Sequence, residues 1–428
     1  MLYPKFQEKR MLYQAPRGTY DILPEDQARW HYIKSKAIEI CRLYGYQRID
    51  TPVFEDAGLF ARSIGKETDI VEKEMYTFED RGGDLLTLRP EGTASICRAY
   101  LEHGMHNLTQ PVKLYYITQI FRYERPQAGR FRQHWQFGAE AIGSNDPALD
   151  AENIDMAWAL YQSLGLQKLV LKLNSIGCSN CRPRYLETLK EYYAGKTDLL
   201  CSDCKRRAGR NILRLLDCKN ESCIPLAEQA PKSIDFLCDE CGEHFNSLQK
   251  YLNILGLDFD VDHRLVRGLD YYTKTVFEVQ PLGAKGAQST IGGGGRYDNL
   301  IEELGGKPTA AVGFGTGFER MNLNLQNQEV EISSLSRPAT FVAFLGEEAK
   351  AKALEYVTRI RREGLDAILA SGNRSLKAQM RQANAIGTDH TIIIGEDELR
   401  DGMVILRDMS GGEQQKLSFD EVMGKLRN

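Results

Sequence analysis

Four arginines, Arg122, Arg125, Arg130 and Arg132, crowd eleven positions of the run FRYERPQAGRFRQHWQFGAE. Burying four guanidinium groups together without anions is prohibitive, so this stretch is either a solvated face or a surface built to meet negative charge. On charge alone the solvated face is the better reading. Phe121, Tyr123, Phe131 and Trp135 interleave with the cations, however. Planar stacking joined to charge-assisted hydrogen bonding is what a nucleotide requires, and this shifts the reading toward phosphate and base binding. Two carboxylates also stand out. Glu91 opens a helical pattern beside Gly92 and Thr93, where an acid ordinarily serves the helix dipole. Glu140 sits in the mostly apolar run QFGAEAIG, an expensive place for a charge without a partner.

Eight of the ten cysteines form the pairs Cys178/Cys181, Cys201/Cys204, Cys218/Cys223 and Cys238/Cys241. A secreted disulfide scaffold would be short and cysteine-dense throughout, but elsewhere this chain has only Cys41 and Cys97. The spacing suits two tetrahedral zinc sites of four thiolates each, with reduced, unliganded thiols as the alternative. Gly292 to Gly295 fit neither the P-loop nor the dinucleotide pattern. They read better as a strand that lets other groups approach closely, before Arg296 and Tyr297 begin the next turn.

The elements that must position these groups follow from composition and periodicity. A chain of 428 residues predicts about three domains. With 55 Lys and Arg against 59 Asp and Glu, the net charge of −4 excludes a generally basic nucleic-acid coat. The apolar share of 42% is that of an ordinary folding chain. No apolar run approaches the ~18 residues of a membrane helix, and the start, MLYPKFQEKRMLYQ, lacks the apolar core of a signal peptide. A soluble, cytoplasmic, multi-domain enzyme is expected, with no function assigned to residues 1–10.

Pro24, Glu25 and Asp26 are helix-start chemistry, Trp30, Ile33, Ala37, Ile40 and Tyr44 recur at helical spacing, and Gly45 ends the helix. YQRIDTPVFE follows as a strand ending near Pro52. DLLTLRPEGTASICRAYL is a strand, a turn at Pro90 to Gly92, and a helix. KLYYITQIFRYERP and FRQHWQFGAEAIG are two strands around the arginine-rich loop. A helix from Asp150 to Leu164 and the strand KLVLKLNSIG lead into a mostly helical, cysteine-rich insertion over 176–258. LVRGLDYYTKTVFEVQ, QSTIGGGGRYDNLIEEL and AAVGFGTGFERMNLNL then read as a strand and two strand-turn-helix units. Antiparallel strands with few intervening helices imply an α+β domain. The polar run over 326–337 is a linker, and FVAFLG, DAILA and HTIIIG alternate with helices as a small α/β domain with a mostly parallel sheet.

At these residues the chain resembles the class II aminoacyl-tRNA synthetases. FRYERP with the returning QFGAE resembles motif 2, GFGTGFER with Arg320 resembles motif 3, and the helix and strand ending at Pro52 resemble motif 1, the dimer-forming element. TLRPEGTA and LVRGLDYY resemble the histidyl-tRNA synthetase family in particular, and the likeness runs from about Arg17 to the C-terminus. It implies an antiparallel-sheet catalytic domain over 11–175 and 259–325, interrupted by the insertion at 176–258, then the linker and an anticodon-binding domain over 338–428.

The resemblance implies roles residue by residue. Arg122 lies on the α-phosphate of ATP and the histidine carboxylate, and Arg267 on the other side of that phosphate, where related enzymes often use a metal ion. Arg320 lies over the adenine. Glu124, Arg130, His134 and Gln136 complete the ATP site. His134 stands where the family commonly has phenylalanine, and imidazole can still stack. Glu91, Gly92, Thr93 and Gln136 hold the substrate's α-ammonium. Glu140 and Tyr272, with Tyr271 and Tyr297 near, meet the imidazole, whose two nitrogens need two fixed polar partners. The implied partners are ATP with Mg2+, L-histidine, tRNA(His) and a second copy in a homodimer, with no membrane. Zinc in the insertion would be structural.

Two other readings compete. A synthetase-like regulatory subunit of ATP phosphoribosyltransferase would lack the anticodon domain and lose the catalytic arginines, yet Arg122, Arg267 and Arg320 remain. A zinc-dependent nucleic-acid binder explains only the insertion.

Overall fold

The computed structural model describes residues 13–65, 68, 70–125, 129–283, 290–333, 338–372 and 374–427. Residues 1–10 and the last four positions of the 326–337 linker, both singled out from sequence, lie outside that set. The chain divides into two compact units, one ending at Ile332 and the other beginning at Ser333. No helix among the described residues is long and apolar enough to cross a membrane.

The strands of the first unit are β1 (Gln47–Arg48), β2 (Phe54–Asp56), β3 (Tyr76–Glu79), β4 (Leu85–Leu88), β5 (Val112–Phe121), β6 (Gln133–Ile142), β7 (Leu169–Ser175), β8 (Phe259–Val261), β9 (Thr273–Pro281), β10 (Gly292–Arg296) and β11 (Ala311–Gly317). Eight form one sheet in the order β1-β5-β6-β11-β10-β9-β7-β8, and β2-β4-β3 form a smaller one. From β5 to β7 every neighbouring pair in the large sheet is antiparallel, and only the short edge strands β1 and β8 pair parallel. The unit is α+β.

The two-residue period of a strand sorts this sheet into two faces. Tyr115 and Ile117 of β5, Phe137, Ala139 and Ala141 of β6, Phe277 and Val279 of β9, and Val312 and Phe314 of β11 point to one core. Four helices complete that core: Gln27–Leu43, Pro147–Ser163, Asp239–Ile254 and Phe318–Asn327. The first buries Trp30, Ile33, Ala37 and Ile40 at the expected spacing, and a single turn at Pro24–Asp26 leads into it. Asp146 starts the second helix, its Oδ1 accepting from Ala148 N at 2.8 Å. The alternate residues of the same strands, Tyr116, Gln136, Glu140, Glu278, Gly313 and Gly315, therefore belong to the opposite face.

Two expectations for this unit need correction. YQRIDTPVFE is not one strand: Gln47–Arg48 joins the large sheet, while Phe54–Asp56 pairs with β4 in the small one. Pro52, with no N–H to donate, lies in the break between them. LVRGLDYY is not a strand either. It is an irregular turn, and β9 begins only at Thr273.

In the second unit β12 (Thr340–Phe344), β13 (Ala367–Leu369), β14 (His390–Ile394), β15 (Met403–Asp408) and β16 (Gln414–Ser418) form a sheet in the order β13-β12-β14-β15-β16. The β13-β12-β14 part is parallel, but β15 and β16 pair antiparallel. The sheet is thus mixed and not mostly parallel: β15 returns antiparallel after the short helix Glu396–Asp401, and a tight turn at 409–412 leads directly into β16, with no helix to carry a parallel crossover.

Candidate active site

The polar face of the large sheet opens into a cavity of about 800 Å³. Arg122, Glu124, Arg130, His134, Gln136, Arg267, Glu278 and Arg320 line it, so the structure brings together all the residues expected at ATP. Of the four clustered arginines only Arg122 and Arg130 reach this wall. Arg132 instead lies 3.7 Å above the Tyr123 ring, and Arg125 is exposed. Among the interleaved aromatics Phe131 lines the cavity, while Trp135 packs against Trp30 and Phe318 in the core.

Each cation is held by a partner. Arg122 Nε donates to Pro90 O at 2.7 Å, which ties the arginine-rich hairpin to the TLRPEGTA turn. Arg130 pairs with Glu124 at 3.2 Å. Arg267 Nη1 pairs with Glu278 Oε1 at 2.6 Å, while its buried Nε has no hydrogen-bond partner among the described residues. Arg320 Nη1 donates to Thr290 O at 2.5 Å. Burial, reinforced by the Arg122 and Arg320 cations, holds the His134 imidazole down at about 3, so it is a neutral ring near pH 7.

Behind this wall lies a closed polar cluster. Glu140 is 1% exposed and accepts from Tyr297 Oη at 2.6 Å and Thr93 Oγ1 at 2.8 Å. Tyr116 Oη donates to Glu140 at 3.4 Å and accepts from Gln136 Nε2 at 3.0 Å, so Gln136 links the cavity to the buried acid. Burial pushes Glu140 up to about 8, against the pull of its hydroxyl donors. Glu91, also buried, accepts from the N–H groups of Thr93 and Ala94 at 2.6 and 2.7 Å, at the start of the helix Thr93–Glu102. Burial raises it too. Tyr271 packs between Tyr272 and Tyr297, with ring centroids 4.7 and 5.7 Å away. The residues expected at histidine are therefore together, although apart from Gln136 none of them lines the open cavity.

Glycines make the room. A Cβ on Gly92 or Gly138 would come within 2.4 Å of the Tyr116 ring, and one on Gly313 within 1.7 Å of Glu140 Oε2. Of Gly292 to Gly295, Gly292 and Gly293 both line the cavity, and a Cβ on Gly293 would meet Arg267 Nη1 at 3.0 Å. The other three accommodate close neighbours: Tyr161 beside Gly292 and the backbones of adjacent strands beside Gly294 and Gly295. Tyr116 and Glu278 were not singled out from sequence. Glu278 carries the same signal as Glu140, a lone acid in the apolar run TVFEVQ. Tyr116 emerges only from register, since it faces Gly138 across the β5–β6 pair.

The cysteines form two quartets, Cys178/Cys181/Cys238/Cys241 and Cys201/Cys204/Cys218/Cys223, each with its sulfurs within 4.8 Å of one another. Neighbouring sulfurs lie at 3.8 to 3.9 Å. A tetrahedron of thiolates at ~2.3 Å from zinc has edges of ~3.8 Å. The donor set and spacing thus fit a four-thiolate metal site, and each quartet could hold one ion.

The comparisons agree with this geometry. The family model described as histidyl-tRNA synthetase matches residues 18–182 and 202–321, and that of the anticodon binding domain matches 340–428. The chain is 57% identical to a histidine–tRNA ligase of Dehalococcoides mccartyi over 97% of this chain and 99% of that one. It is 49% identical to the same-named protein of Desulforamulus reducens, over 96% and 98%. The solved structure of apo histidyl-tRNA synthetase from S. aureus superposes with a TM-score of 0.81 at 36% identity, covering 97% of this chain and all of that one. The chain belongs to the histidyl-tRNA synthetase family.

Proposed function

We propose that the chain is a histidine–tRNA ligase, which activates L-histidine with ATP and transfers it to the 3′ end of tRNA(His). The observation that carries this is one cavity lined by Arg122, Arg267 and Arg320 and joined through Gln136 to the buried Glu140 cluster. Near-full-length identity to histidine–tRNA ligases supports the same reading over the regulatory-subunit one.

In the first step the histidine carboxylate attacks the α-phosphorus, forming a carboxyl–phosphate bond as the α–β phosphoanhydride breaks and pyrophosphate leaves. No proton need move, so positioning and charge stabilisation supply the rate. Arg122 and Arg267 flank the α-phosphate from the two sides of the cavity, and Arg320 covers the adenine opposite the neutral His134 ring. ATP enters as its Mg2+ complex, the ion offsetting charge on the leaving pyrophosphate. Glu91, Gly92, Thr93 and Gln136 receive the α-ammonium. Glu140 and Tyr272 take the two imidazole nitrogens, with Tyr271 and Tyr297 closing the pocket. In the second step a terminal ribose hydroxyl of tRNA(His) attacks the adenylate carbonyl and AMP departs.

The enzyme acts as a homodimer in the cytoplasm, with structural zinc in the cysteine quartets. Histidine-dependent exchange of labelled pyrophosphate into ATP tests the reading. Exchange with L-histidine and with no other amino acid is the expected result, and its absence overturns the proposal.

A further inference from the structure

The turn 265–272, which carries Arg267, has no ladder or helix of its own. Asn174 and Ile64 O bind its backbone, and much of the rest of what holds it comes from the insertion, from beside both cysteine quartets. Arg182 directly follows Cys181, and its Nη2 donates to Tyr272 O at 2.5 Å and to Gly177 O at 3.2 Å. Between Cys204 and Cys218, Asn211 Nδ2 donates to Asp270 Oδ1 at 2.8 Å. Arg214 lies so close to Gly268 that a Cβ there would meet its Nη1 at 3.3 Å. Cys204, Ile212, Leu215 and Cys223 share one apolar core with Leu265 and Val266.

Around the second quartet the intervening helices cannot supply this rigidity alone. Ser202–Ala208 and Ile224–Glu228 have 7 and 5 residues, well under the ~12–15 needed for a marginally stable isolated helix. The sulfurs are already arranged as ligands. Cys178 N donates to Cys181 Sγ and Cys201 N to Cys223 Sγ, each at 3.3 Å, within quartets closed between sequence-distant pairs. The second quartet also reaches the cavity wall through Cys201 and Cys218.

We propose that both quartets are four-thiolate zinc centres whose shared task is to clamp the turn 265–272 and so hold Arg267 at the reacting phosphate. The zinc touches no substrate; the quartets are positioning devices. This rests on the ligase reading, because Arg267 acts only if adenylate forms.

The full chain, purified without added metal, should carry two zinc ions, and cobalt reconstitution should give the absorption of tetrahedral cobalt thiolate. Neither measurement needs a variant. Cys201→Ser with Cys218→Ser should lose one ion and lower the kcat of pyrophosphate exchange by about ten- to a hundredfold, the scale of a misplaced catalytic group. The KM for histidine should stay within about twofold. Cys218→His, which keeps a zinc-binding side chain, should retain the ion and most of the rate. In an Arg267→Ala background the serine pair should cost nothing further, whereas general destabilisation would multiply with it. A metal-free folded chain, or multiplying effects, overturns the proposal. Two bound zinc ions with no histidine-dependent exchange overturn the ligase reading first, and the positioning role with it.

Discussion

At the scale of single residues, Arg267 and Glu140 show how burial gives a charge its task. Among the described residues Arg267 keeps one ion pair, to Glu278, and its buried Nε has no acceptor, an arrangement that favours an incoming anion. Arg267→Ala should lower pyrophosphate exchange by on the order of 10²-fold or more, with histidine affinity by calorimetry little changed. Equal exchange in the two proteins would remove Arg267 from the chemistry. Glu140 carries a pH signature. Burial raises it to about 8 from an ordinary 4.5. A carboxyl raised in this way contributes stability that is full below 4.5 and is lost as pH rises through about 8, where the buried group must ionise. Glutamine keeps the shape and cannot ionise. The melting temperature of ligand-free Glu140→Gln, relative to the unaltered chain, should therefore climb across that window while the histidine KM rises at every pH. A pH-independent difference in melting temperature would mean that Glu140 keeps one protonation state throughout.

At the scale of elements, the strand alternation that separates core from site was readable from residue order in β6, and so was the pairing of β5 with β6 around the arginine hairpin. QFGAEAIG places Phe137, Ala139 and Ala141 at every second position, and the acid at 140 marked the other face, whereas KLYYITQIF is apolar on both faces and reads only as a strand. What residue order left hidden was contact between distant segments. Tyr116 reads as one more strand tyrosine until register sets it opposite Gly138 and beneath Gln136. The quartets join the first cysteine pair to the fourth and the second to the third, and pair spacing alone does not choose that closure. LVRGLDYY looked like a strand because its apolar and aromatic residues suit one, yet it is held as a turn by Arg182 and Asn211 from the insertion. The sheet's glycines supply a graded test. A Cβ at Gly313 would come within 1.7 Å of Glu140 Oε2 and 2.8 Å of Ala139 O, against a buried acid fixed by three hydroxyls. At Gly315 the obstacle is Gln136 Nε2 at 2.7 Å, the movable end of a flexible side chain. Gly313→Ala should cost about 1–3 kcal/mol in urea unfolding and abolish histidine binding, with Gly315→Ala milder on both counts. The reverse ranking would show that the Glu140 cluster is looser than its hydrogen bonds imply.

At the scale of the whole molecule, the two units have separate cores. Phe341, Val357, Ile392, Val404 and their neighbours form the core of the second unit, which shares no buried residue with the clusters of the first. Every residue assigned to adenylate formation lies in the first unit, so removing residues 338–428 should leave most of the exchange activity while transfer to tRNA falls sharply. The second unit, 13 Lys and Arg against 14 Asp and Glu over 338–428, is not basic overall, and its tRNA contacts must come from a local patch. Two basic rows are candidates, and the structure separates them. In the first row, Arg359, Arg361 and Arg362, Arg359 is committed to Asp420 and Arg361 to Ala367 O, while Arg362 is exposed. Arg374, Lys377 and Arg381, by contrast, are exposed at and along the helix Leu376–Ile386, and among the described residues none of the three forms an ion pair. Lys377 and Arg381, four residues apart, lie on one face of that helix, and Arg374 stands just before its N-cap Ser375, where each can meet a phosphate of a single strand. Each phosphate neutralised on a single strand contributes ~0.7 to the slope of log affinity against log salt. Changing all three to alanine should therefore make that slope shallower by about 2 and weaken tRNA(His) binding most at low salt. Pyrophosphate exchange, which needs no tRNA, should be untouched. An unchanged slope would move the phosphate contacts off this helix face, and the cationic cavity wall of the first unit would be the next surface to test.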